Sequence, residues 1–148
     1  MKKETRLYNV LFPLWMLMLF PQAWLVVLPG NFIIDSVVLV VSMFALKMQE
    51  KKTFYKKTIL KIFGIGILSD IIGSAYMLMM MVVFEAGSIE LLLTVPALIL
   101  SAVCIFLFNY YITFKQCDKS VRWKLALIFA VVTAPYTFLV PTPWLYGY

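Results

Sequence analysis

From Ile59 to Phe84 the chain is apolar for longer than a soluble core helix requires, yet a carboxylate, Asp70, stands near the middle of the run. A helix needs roughly 20 apolar residues to cross about 30 Å of hydrocarbon. Inside lipid every backbone N–H and C=O must be satisfied within the protein, which leaves helices and closed barrels. Long apolar runs without alternation point to helices rather than barrel strands. The rest of the chain agrees. It is 64% hydrophobic and 14% charged over 148 residues, with a mean hydropathy of +0.95, whereas soluble domains are nearer about one half apolar and one quarter charged. The fold class expected is all-α, a polytopic membrane bundle forming one integral membrane domain over residues 1–148.

Breaks in the apolar pattern divide the chain into five expected spans, at about 7–28, 32–46, 58–84, 89–114 and 125–140. Pro29, Gly30 and Asn31 make an outer turn between the first two. Asn31 then caps the second helix and Asp35 lies in its first turn, favoured by the helix dipole. Residues 47–57 form a basic loop. Glu85 to Ser88 turn the chain at the outer side, and residues 115–124 form a second basic loop. Pro135 bends the last span, and the aromatic, Pro-rich tail anchors at the interface. With this division all 13 Lys and Arg fall on one side. Positive residues are retained on the cytoplasmic side, so the N-terminus is expected inside and the C-terminus outside. The net charge of +6 is thereby a topology signal rather than a sign of nucleic-acid binding.

A helical period of about 100° per residue puts Gly66, Ser69, Asp70, Gly73, Ser74, Tyr76 and Met77 on one face of the third span. Ile67, Leu68, Ile71, Ile72, Ala75, Leu78 and Met79 occupy the other. Small residues let helix backbones approach, so Gly66, Gly73 and, on the fourth span, Ala97 are expected at packing seams. At 1.5 Å per residue Asp70 lies about 21 Å below the outer end of its span, Ser101 about 18 Å and Ser42 about 15 Å. With Ser69, Ser74 and Thr133 these residues make a candidate polar layer. A charged Asp at this depth costs roughly 2.5 to 3.5 kcal/mol, and intramembrane acids often mark ion or proton routes. Asp35, about 5 Å from the outer end of its span, would be offset from Asp70 by about 16 Å, which argues against a catalytic carboxylate pair of the kind an intramembrane aspartyl protease needs.

Histidine is absent, which removes the commonest catalytic base and metal ligand. Cys104 and the intramembrane serines have no neighbouring base to activate them, and no phosphate-binding glycine loop is present. Cys117 lies among Lys115, Lys119, Arg122 and Lys124, a setting that would lower a thiol's pKa. Met77 and Met81 have a spacing that resembles the methionine motif of copper-uptake trimers. The chain lacks that family's Met-rich outer segment and its GxxxG, so no metal or other cofactor is assigned. The reading is a non-enzymatic multi-pass protein of the cell membrane, most simply a bacterial plasma membrane. It is expected to be a transport or channel-type component working as a homo-oligomer or beside a larger membrane partner. The alternatives are a non-catalytic accessory or scaffold subunit and, more weakly, an intramembrane enzyme.

Overall fold

The computed structural model describes residues 21–84 and 90–136. They form four α-helices, α1 (Pro21–Ala45), α2 (Lys51–Phe84), α3 (Glu90–Phe108) and α4 (Lys119–Val132), with a π-helical turn, Asn109–Thr113, extending α3. No strand occurs among the described residues. Three segments are long and apolar enough to cross a membrane, Trp24–Ala45, Lys51–Met80 and Leu92–Thr113.

The expected outer turn at Pro29-Gly30-Asn31 is not formed. Helix α1 runs through it with Pro29 inside, so one helix stands where the ends of two spans were expected. Pro29 removes only one ladder bond, and neighbouring helices let membrane helices tolerate this. The expected first span lies largely outside the described residues, as does the turn at residues 85–88.

The basic loop is shorter than the sequence suggested, because α2 begins at Lys51 instead of Thr58. Lysine is a good helix former, and solvated charge was mistaken for irregular backbone. The true turn contains neither Gly nor Pro. Lys47 adopts positive φ (49°), with Met48 N donating to Met43 O and Lys47 N to Phe44 O. This is the paired-bond helix stop usually built on glycine. Met48 seals it by packing on the core below.

The fifth expected span, 125–140, is helical only to Val132 in its described part. At 14 residues, α4 rises about 21 Å, short of a bilayer. Pro135 explains the stop, since it has no N–H for the Val131 carbonyl and disfavours helix at Ala134. The Tyr136 hydroxyl donates to that carbonyl instead.

Helix α2 lies between α1 and α3, antiparallel to both. The α2–α3 seam is fixed by the Ser101 hydroxyl donating to the Ser69 carbonyl at 2.7 Å and by Met77 packed with Ala97 and Leu93. Gly73 and Ala97, both buried, are small residues of this seam, where small side chains let backbones approach. The exposed side of α2, with Leu68, Leu78 and Met79, presents an apolar surface suited to lipid. Toward the basic end a larger core gathers Leu39, Met43, Ile59, Ile62, Ile105, Phe114, Leu125 and Phe129. There Phe114 stacks on Phe54 and tilts against Phe129.

Candidate functional site

Continuity of α1 changes the depth of everything on it. With α1 continuous through Asn31, Asp35 stands well inside its helix rather than in a first turn, and Asn31 reaches across to Asp70 at 3.4 Å. A helix starting at Asn31 would give an offset of about 16 Å between the acids; α1 runs through Asn31, and the two carboxyl groups lie within electrostatic reach of each other.

Three side chains define the site. Asp35 and Asp70 are 5% and 6% exposed. Asn31, one turn above Asp35 on the same face of α1, donates its amide to Asp70 Oδ2 at 3.4 Å, a long hydrogen bond. Asp70 Oδ1 is buried with no hydrogen-bond partner among the described residues. Gly66, one turn from Asp70, faces Asp35 across the α1–α2 seam: a methyl group on it would lie 3.6 Å from Asp35 Oδ2, an ordinary van der Waals contact. Above Asn31 a narrow crevice between α1 and α2 is lined by Trp24, Val27, Leu28, Ile67 and Ile71. It offers about 10 Å³ to water, close to what one molecule needs.

The other sequence-derived residues divide into two groups. Ser69, Ser74 and Ser101 are fully buried beside or opposite Asp70, and Ser69 and Ser101 are joined through the bond already described. Ser42 is buried, but seven residues beyond Asp35, and so about 10 Å further toward the basic end. Its neighbours there include Met43 of the basic-end core. Thr133 ends α4, where its hydroxyl donates to the Phe129 carbonyl of its own helix. Neither Ser42 nor Thr133 is drawn to the acids. Met77 is buried in the α2–α3 seam. No group of three or more His, Cys, Asp or Glu gathers to hold a metal among the described residues.

Asn31 and Asp35 were read as a cap and a first-turn acid, and their part in the site was missed. Their i, i+4 spacing was the available signal, since it puts both on one helix face. Cys117 has the setting of a plain loop cysteine rather than a reactive one. Its thiol is pushed above the ordinary range, first by burial and then by Asp118, with Arg122 opposing. The cationic neighbours do not activate it. Cys104 and Cys117 are both free.

No known family model matches this chain, and neither a curated protein nor a solved structure is significantly similar to it.

Proposed function

We propose that this chain is a transport-type membrane component in which an ion passes through a site built on Asp70, with Asp35 and Asn31 beside it. One observation carries the reading. A carboxylate oxygen is buried deep in a spanning helix, next to a second acid, with no hydrogen-bond partner among the described residues. A purely structural acid is expected to use its acceptors, because a buried unpaired polar atom destabilises by about 1–3 kcal/mol. Intramembrane acids that line ion routes must keep one side of the group open to exchange.

The orientation belongs to the same reading. Ten of the basic residues, Lys47 to Lys61 and Lys115 to Lys124, lie at one end of the bundle, which the charge rule assigns to the cytoplasm. A five-span count with Lys2, Lys3 and Arg6 on that same side belongs to the proposal, since residues 1–20 lie outside those described. Assembly with like copies or a larger membrane protein would supply the wall that so small a bundle lacks. Among the described residues no nucleophile and base stand together, which gives a catalytic role little support.

The test is Asp70→Asn in proteoliposomes. Asn keeps the shape and loses the exchangeable charge. Ion flux should fall about a hundredfold, the scale of losing a positioned proton-exchanging group, while folded yield is unchanged. The accessory-subunit reading is favoured by the narrow crevice, which admits about one water. It predicts an Asp70→Asn protein that supports its membrane complex as well as the wild type, and that outcome would displace the transport reading.

A further inference from the structure

Asp70 is not alone in lacking a partner. The buried side-chain atoms without one, among the described residues, are Ser69 Oγ, Asp70 Oδ1, both polar atoms of the Asn109 amide, and Thr113 Oγ1. All belong to α2 or to the α3 rod. Asn109 is 1% and Thr113 5% exposed. Asn109 continues the face of α3 that carries Ala97, Ser101 and Ile105, each four residues apart. It opens the π-turn, in which Phe114 N reaches back to Asn109 O at 2.9 Å. Such turns are uncommon and concentrate at functional sites.

A buried water typically makes about three hydrogen bonds to groups that would otherwise be unsatisfied. Asn109 and Thr113 supply three such atoms within one turn. Asn109 lies eight residues below Ser101, about 12 Å along the helix. That distance is closed by Ile62 and Ile105, both 1% exposed and members of one core cluster. Two polar stations are therefore separated by an apolar plug, the arrangement that gates by excluding water.

We propose that Asn109 and Thr113 hold internal water as the basic-side station of a proton path. Asp70 is its central station, and Ile62 and Ile105 are the gate between them. The inference rests on the reading that an ion moves through Asp70, and it names that ion as the proton. A metal cation would have to exchange its water shell for several oxygens at once. The crevice above Asn31 admits about one water, and the Asn109 station includes an N–H donor, which opposes a cation. A proton needs only water-sized steps. Hydronium gives its proton to Asp70 Oδ1, so an O–H bond breaks on water and one forms on the carboxyl. Release on the other side reverses this, with no redox change.

The experiment measures acidification of dye-loaded proteoliposomes holding the full chain. Wild type should pass protons under a pH gradient and should not pass sodium or potassium. Absence of proton flux, or sodium or potassium flux instead, overturns the inference. Asn109→Leu with Thr113→Val should cut the flux severalfold. Ile105→Ala should raise it, and the rise should vanish when Asp70→Asn is added. If the double polar variant conducts like wild type while Asp70→Asn does not, the second station is wrong and the transport reading survives. If the Ile105→Ala leak persists without Asp70, the plug is no gate on this path. Should the polar double variant fail to fold, hydroxyl-radical labelling of the wild type decides. Hydroxyl radicals formed from the bound water should oxidise Phe114 or Ile105 despite their burial, and unlabelled side chains there would refute a hydrated station.

Discussion

Arg122 and Asp70 are both ionisable groups drawn in from solvent, and the protein treats them in opposite ways. Arg122 has its bonding supplied. Its Nε donates to the Tyr110 carbonyl at 2.6 Å, and its guanidinium lies 4.1 Å from the Tyr110 ring centre. The carbonyl is available because the π-turn gives the Phe114 N–H to Asn109 instead. One arginine thus ties the first turn of α4 to the end of α3. Asp70 lies deeper, where an unpaired acceptor is dearer, yet it keeps one oxygen empty and the other on a long bond. Polar chemistry used for holding the fold is saturated, and polar chemistry left unsaturated in the membrane is the better mark of a site that exchanges something.

If that contrast is right, the two residues should fail in different measurements. Arg122→Ala should lower stability by about 2 kcal/mol, since it removes a charge-assisted hydrogen bond and a stacked cation together. Arg122→Lys should recover only part of this, because a point charge lacks the planar fork. Reversible unfolding in detergent reads the loss. Asp70→Asn should move the same measurement far less. A destabilisation by Asp70→Asn that matches Arg122→Ala would erase the distinction and make Asp70 a structural group.

Ser101 sharpens the comparison from the opposite direction. It lies level with Asp70 but is saturated, donating to the Ser69 carbonyl. Ser101→Ala should cost about 1 kcal/mol and leave ion flux near wild type, since the α2–α3 seam keeps Met77 packed on Ala97. Flux lost in proportion to that at Asp70→Asn would mean that depth alone, and not the empty oxygen, defines the site.

Much of this was legible from residue spacing. The packed face of α2 follows from helical period, and Ser69, Asp70, Gly73, Ser74 and Met77 are all buried as a set. The partner of Asp70 was not legible, for a physical reason. Turn signals report what a residue tolerates locally, whereas helix continuity in a membrane is decided by the cost of exposing backbone to lipid. Pro29-Gly30-Asn31 is a strong turn signal and is helical. Lys47–Glu50 is a weak one and turns, with two non-glycine residues at positive φ. The π-turn at Asn109 left no trace in the hydropathy pattern, because it shifts hydrogen-bond register without changing which residues are apolar.

Gly30 gives the smallest predicted effect and the most direct check on that error. In the middle of a helix, glycine costs roughly 0.5–1 kcal/mol relative to alanine through its extra freedom in the unfolded chain. A methyl group on Gly30 would meet nothing within 4 Å, so Gly30→Ala should raise stability by about that amount. In the tight turn that the sequence suggested, the same change would remove the residue best able to follow a Pro and would lower stability. The sign of the shift in the unfolding midpoint is what matters. A decrease would break α1 at Gly30, restore the offset between Asp35 and Asp70, and dismantle the acid pair on which the contrast with Arg122 stands.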